Sequence, residues 1–255
     1  FNKMLRNLAY TNQSQQGVTI IMHHARIAML SLFGITTSFA ANAEMSDARV
    51  NELIEQYIRQ HPEVMIDSLQ NYQLQEETKR LQDLSKKVAE HVETFKDSKA
   101  FPTVGNPDGD VTIVEFYDYN CPACKMMFNS IDQLLKEDKN VKVVFVEFPI
   151  FGPQSDTNAH LAQAVHHLYP DKYFDFHSKL MSFEGRANKQ DALDMAQQLG
   201  MDPNKLEKEA ETPEVDQRIE KNKDLAIELA IEGTPAVIVG TRMINSALPI
   251  DQLKA

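Results

Sequence analysis

The chain is sparing with the groups that would widen its possible functions. It has 2 cysteines in 255 residues, so no disulfide can form beyond one pair, and a closed zinc site of four ligands finds no second Cys-x-x-Cys to draw on. It is also short of positive charge. Lys and Arg number 26 against 37 Asp and Glu, a net charge of −11, which excludes the basic footprint that nucleic acid or an anionic membrane surface calls for. No apolar run reaches the roughly 20 residues that span a bilayer, and there is no internal repeat or low-complexity tract. Apolar residues nevertheless make up 42% of the chain and aromatics 8%, the composition of a globular protein that buries a real core.

Acidic residues are absent from positions 1–43, which hold Lys3, Arg6 and Arg26, so the remainder carries −14. From Met22 there is a basic start (His23, His24, Arg26), then an apolar stretch over residues 27–40, then Ala41-Asn42-Ala43 before Glu44. This pattern predicts a secretory signal peptide from Met22 to Ala43, preceded by upstream translated sequence. An uncleaved anchor fits less well, because residues 27–40 are too few and are interrupted by Ser31, Gly34, Thr36, Thr37 and Ser38. Export implies an oxidising compartment, here the periplasm with outer-membrane or surface association open, and there a close cysteine pair favours redox chemistry over zinc. At the other end the sequence stops one or two turns into the last expected helix, so both ends are expected to be incomplete.

Residues 44–100 read as an N-terminal helical arm. Ser46 or Asp47 can cap a helix carrying Val50, Leu53, Ile54, Tyr57 and Ile58, and Pro62 suits the first turn of a second helix reaching about Lys96. Leu74, Leu81, Val88 and Phe95 recur every seven residues, a narrow stripe better matched to another subunit than to one small core. The breaker cluster from Phe101 to Gly109 marks the start of a second domain, 101–255. Within it Val111–Tyr117 reads as a strand, 122 to about 136 as a helix, and 141–148 as a second buried strand, a βαβ unit. Residues from about 156 to 231 are helical by pattern. They are followed by Gly233-Thr234-Pro235, a short strand at Ala236–Val239, a turn at Gly240 and a helix starting near Pro249.

The two cysteines occupy Cys121-Pro122-Ala123-Cys124, where the first strand gives way to a helix. By spacing alone they can close a disulfide or share a soft metal. With the helical segment and the later Thr-Pro in order, residues 46–255 resemble the DsbA-like branch of the thioredoxin superfamily. His61-Pro62-Glu63-Val64, the run from Val111 to Cys124, and Glu147-Phe148-Pro149-Ile150 look most like its exported, oligomer-forming members, the suppressor-of-copper-sensitivity C proteins and the outer-membrane immunogenic relatives. The implied fold is α/β and thioredoxin-like, with a helical insertion at about 156–231 and the helical arm in front.

The resemblance implies an exported protein thiol:disulfide oxidoreductase, an isomerase or oxidase. Its partners would be cysteine-containing exported proteins, a membrane redox partner and further copies of the chain joined through the arm, with no cofactor. Exchange needs an ionised, accessible attacking thiol, and a helix start favours the anion at Cys121; Cys124, one turn in, would resolve the mixed disulfide. Ala123 offers no imidazole to the thiolate, which predicts a less oxidising pair than relatives with His there. Pro235 is expected to be cis, with Thr234 offering its backbone to an extended substrate; an ordinary turn proline is the plain alternative. Glu115, an acid inside an apolar strand, is expected to lie beneath the pair and move a proton to or from Cys124, the plain alternative being a salt bridge or an exposed edge.

Other residues read more plainly. His160, His166 and His167 share one helical face but are expected to be solvated or satisfied in place rather than to bind metal, and Met126 and Met127 to pack or to offer adaptable apolar surface. Lys125 is expected to be solvated and to lend mild positive potential to the thiolate. Two competing classes remain: a copper- or soft-metal-binding protein using the same thiolates, and a surface antigen whose chemistry is incidental.

Overall fold

The strand expected at Val111–Tyr117 (β2) forms, and it lies at the centre of a five-stranded sheet. Its companions are β1 (Thr103–Gly105), β3 (Val141–Glu147), β4 (Ala236–Val239) and β5 (Arg242–Ile244), in the order β1-β3-β2-β4-β5. A computed structural model describes residues 45–254; the expected signal peptide lies outside the described residues. β2 and β3 pair in parallel, in register from Val111 opposite Val141 to Tyr117 opposite Glu147, and β4 pairs antiparallel to β2. A parallel pair needs a long crossover, and the helix Pro122–Glu137 supplies it.

The sequence reading missed β1. It is three residues long, an edge strand antiparallel to β3, caught between Pro102 and Asn106-Pro107, too short for any alternation to register. Gly105 ends it at φ +92°, where a Cβ would stand 2.3 Å from the Val141 carbonyl oxygen, so this position admits no side chain.

The described residues fall into two units, 45–57 and 58–254. Helix α1 (Asp47–Gln60) crosses that boundary, has no buried residue, and exposes Leu53, Ile54 and Tyr57. In the second unit α2 (Pro62–His91) opens on Pro62 and leaves Met65, Ile66, Leu69, Tyr72, Leu74 and Leu81 exposed. The seven-residue stripe therefore divides: Leu74 and Leu81 face solvent, whereas Val88 and Phe95 are buried. The helix ends at His91 rather than near Lys96, and a 3-10 turn at Thr94–Lys96 carries Phe95 into the core.

α3 is the crossover helix Pro122–Glu137. Between β3 and β4 come α4 (Pro153–Leu168), α5 (Tyr173–Met181), α6 (Lys189–Gln198), α7 (Pro203–Ala210) and α8 (Pro213–Glu228), and α9 (Ile250–Leu253) follows β5. Prolines 153, 203 and 213 sit in first turns, where the missing N–H costs nothing. Asn188 and Asp191 form a reciprocal capping box at the start of α6.

Side chains of the sheet divide by parity. Ile113, Tyr117, Val143, Phe145 and Val237 pack with α3 and the helical insertion, while Val114, Phe116, Val144, Val146 and Ile238 pack with Val88, Phe95, Phe101 and Leu225. His91 Nε2, 2.8 Å from Glu228 Oε2, ties the end of α2 to α8. No helix among the described residues is long and apolar enough to cross a membrane.

Candidate active site

Alternation along β2 sends Glu115 to the same face as Ile113 and Tyr117, under α3. β2 ends at Tyr117, the chain turns through 118–120, and Cys121 caps α3 with its own sulfur: Sγ accepts the Cys124 N–H at 3.4 Å. Pro122 takes the first helical position. The two thiols are free. The Thr234–Pro235 peptide is cis, and the Cys121 thiol donates to the Thr234 carbonyl oxygen across 3.3 Å. Cysteine pair, Thr234 and Pro235 therefore meet at one place, with Glu115 on the strand beneath.

The electrostatics of the two thiols differ. Cys121 falls to about 6, chiefly through the Cys124 side chain beside it, with the N–H groups of Cys124 and Ala123 adding to the effect against the opposing pull of burial. Cys124 moves the other way, pushed well up by burial, by Cys121 and by the charge of Glu115. Glu115 is fully buried, and neither carboxyl oxygen has a hydrogen-bond partner among the described residues. Burial, then the charge of Cys121, raise its carboxyl well above the usual range. This removes the salt-bridge and exposed-edge readings of Glu115.

Two expectations need correction. Cys121 is 2% exposed rather than accessible, and its thiol hydrogen-bonds to Thr234, 113 residues further along. Lys125 is not a solvated side chain. Its ammonium donates to the Phe183 carbonyl oxygen and, at 2.6 Å, to that of Gly185, and burial pulls its pKa down. The charge is committed to the segment after α5.

The histidines are satisfied locally. His160 lies 3.4 Å from Asp156 and 3.6 Å from Asp216, and His167 Nδ1 is 2.5 Å from Glu209; His166 stacks edge-on against Tyr173. Among the described residues no group of three or more His, Cys, Asp or Glu is arranged to hold a metal. Met127 is buried and Met126 is 60% exposed.

The turn leading to Cys121 is held by side chains that sequence reasoning passed over, and they alternate in direction. Asp118 accepts from the N–H groups of Ile150 (2.8 Å) and Phe151 (3.0 Å), from Asn120 N–H (2.7 Å) and from the Ser155 hydroxyl (2.7 Å). Asn120 accepts the Ala187 N–H at 3.1 Å. Tyr117 and Tyr119 point the other way, into a sealed polar ring: their hydroxyls are 2.9 Å apart, Tyr117 is 2.9 Å from the Tyr173 hydroxyl, and Tyr119 is 3.1 Å from His177 Nδ1. Glu147 closes the ring. Its Oε1 accepts from Tyr117 and Tyr173 at 3.1 Å each, and Oε2 accepts from Gln163 at 2.5 Å. Burial lifts Glu147 to about 7 against those donors and depresses His177 to about 3, leaving it neutral. The signal for Glu147 was the one that marked Glu115, an acid in an apolar strand.

With this geometry in view, comparison with known proteins is decisive for the family. Residues 97–255 match the family described as thioredoxin. The chain belongs to the thioredoxin family, in its DsbA-like branch. It is 29% identical over 168 residues to disulfide bond formation protein D of Bacillus subtilis, spanning 61% of this chain and 75% of that one. Among solved structures, a thioredoxin-like oxidoreductase from Silicibacter pomeroyi superposes with a TM-score of 0.60 at 36% identity, over 64% of this chain and 93% of the other. The thiol-disulfide exchange protein alpha-DsbA2 of Wolbachia pipientis does so with 0.64 at 29%, over 69% and 94%. The α/β fold with its helical insertion is thus the thioredoxin-like one expected.

Proposed function

We propose that this chain is an exported protein thiol:disulfide oxidoreductase in which Cys121 attacks and Cys124 resolves. The observation that carries this reading is the opposed pair of thiols on one helix turn, one lowered to about 6 and the other raised by burial. The names of the relatives, a disulfide bond formation protein and a thiol-disulfide exchange protein, support it.

In the reduced form the Cys121 thiolate attacks a substrate disulfide. One Cys121–substrate S–S bond forms, the substrate S–S bond breaks, and the displaced substrate sulfur leaves as a thiolate. Another substrate thiolate then displaces Cys121, which is isomerisation with no net electron transfer, or Cys124 does so, closing the Cys121–Cys124 disulfide and leaving the substrate with two electrons more. Run backwards, the second route oxidises a substrate dithiol. Cys124 must lose its proton to attack, and Glu115 beneath it serves as the group that takes and returns it. Thr234 offers its backbone to an extended substrate segment, and Pro235 holds that segment opposite the pair.

The Ala123 side chain carries no donor to the thiolate, and the pair is accordingly less oxidising than one with His there. Cysteine-containing exported proteins are the substrates and a membrane redox protein the electron partner. The leader-like pattern over Met22 to Ala43 supports export to the periplasm. Exposed Leu53, Ile54 and Tyr57 on α1, and Met65, Ile66 and Leu69 on α2, support self-association through the arm, and paired sites favour isomerisation. Copper binding by the two thiols is the weaker reading, because the relatives' names point to disulfide exchange and, among the described residues, no third His, Cys, Asp or Glu joins the pair to hold a metal. Turnover of a scrambled, disulfide-bonded protein substrate tests the proposal: recovery of native substrate supports it, and no recovery with full binding of Cu(I) would replace it with the metal reading.

A further inference from the structure

The segment between α5 and α6 presents charged side chains to solvent, Glu184 and Arg186, yet its backbone is fastened by side chains from elsewhere in the chain. Lys125 on α3 donates to the carbonyl oxygens of Phe183 and Gly185. Asn120, the residue before Cys121, accepts the Ala187 N–H at 3.1 Å, and Asn158 on α4 donates to the Ala187 carbonyl oxygen at 2.9 Å. Three side chains from three different parts of the chain thus converge on four backbone groups within five residues. A surface connection with few apolar contacts is mobile by default. This one is fastened at both sides of the cysteine pair, to the residue before Cys121 and to the residue after Cys124.

The ammonium of Lys125 is an expensive way to fasten a loop whose position does not matter, since bringing a lysine partly out of water disfavours its charge. Nor is the charge among the main causes of the thiolate's shift, which are the Cys124 side chain, Thr234 and the N–H groups of the helix start. We propose that Lys125 is a positioning residue, and that the 182–188 segment it fixes forms one wall of the docking surface on which an extended, cysteine-bearing polypeptide lies while it exchanges with Cys121. Thr234 bounds the thiol through its carbonyl, and the fixed segment bounds the preceding residue through Asn120. On this proposal a polypeptide exchanging with Cys121 contacts the wall, whereas a small dithiol does not. This inference rests on the exchange activity proposed above.

The test compares Lys125→Met, which keeps the stem and removes both hydrogen bonds, with Lys125→Arg, which restores a donor, in the full chain with thermal melts of each. Exchange is measured with a reduced, unfolded protein and with dithiothreitol. Loss of a charged hydrogen-bond donor predicts a KM for the polypeptide about tenfold higher in Lys125→Met with kcat maintained, a far smaller effect with dithiothreitol, and recovery in Lys125→Arg. Equal losses with both substrates, or no change with either, would overturn the inference while leaving the exchange activity standing. Absence of exchange in the unaltered chain overturns both.

Discussion

Glu147→Gln probes the sealed ring beneath the active site, and its consequence can be worked from the structure. Glu147 lies fully buried among Tyr117, Tyr173 and Gln163, with its carboxyl raised from 4.5 to about 7 by burial. Each pKa unit is worth about 1.4 kcal/mol, so the difference between folded and unfolded chains corresponds to about 3 kcal/mol. Below pH 4.5 the acid is protonated in both states and costs nothing. As pH rises through about 7 the unfolded chain ionises first, and the favourable contribution of the neutral, buried acid is lost. Glutamine never ionises. Its Oε1 can still accept from the Tyr117 and Tyr173 hydroxyls, and its amide N–H can meet the Gln163 Oε1, an atom with no hydrogen-bond partner among the described residues. Urea unfolding of the reduced protein at several pH values, with and without the substitution, reads the effect. The stability of Glu147→Gln relative to the unaltered chain should climb by about 3 kcal/mol from pH 4.5 to pH 8. Taking the difference cancels the contribution of Glu115, whose carboxyl is shifted in the same direction. A difference that does not change with pH would refute the reasoning.

Other predictions concern the thiols directly. Thiolate absorbance of the reduced protein should titrate with one midpoint at about 6, that of Cys121, with Cys124 silent up to the pH of unfolding; a first midpoint near the ordinary thiol value would contradict the helix-start geometry. Exchange rates should accordingly fall below that midpoint, by about tenfold per pH unit. Glu115→Gln should slow closure of the Cys121–Cys124 disulfide by roughly tenfold or more while leaving the Cys121 midpoint within a unit, as stopped-flow exchange will read; an unchanged rate removes the relay role. Ala123→His should make the pair more oxidising by about 30 mV or more against glutathione, a tenfold change in the equilibrium constant, and no shift would mean that residue 123 does not tune the pair.

What could be read from the sequence followed the strength of each local signal. β2 and β3 are continuous apolar strands flanked by breakers, and three of the five insertion helices open on prolines, so the elements that build the site were legible. β1 was not, because three residues carry no period. Glu115 stood out as an acid among apolar neighbours, and Glu147 carried the same mark, yet its meaning depends on tyrosines at 117 and 173 that only the fold brings to it. Lys125 was misread for a related reason. Its partners are backbone carbonyls 58 and 60 residues away, and a carbonyl leaves no trace in the identity of its residue. The Cys121 thiol likewise bonds to a backbone carbonyl, that of Thr234, 113 residues away. Chemistry carried by side-chain type was visible; chemistry carried by backbone atoms from distant segments was not.

The assignment of one attacking and one resolving thiol is tested most directly by trapping. Cys124→Ser, incubated with a disulfide-bonded protein substrate, should accumulate a mixed disulfide that mass spectrometry assigns to Cys121, and Cys121→Ser should form none and show no exchange. Turnover by Cys121→Ser, or an adduct on Cys124 in that variant, would contradict the account.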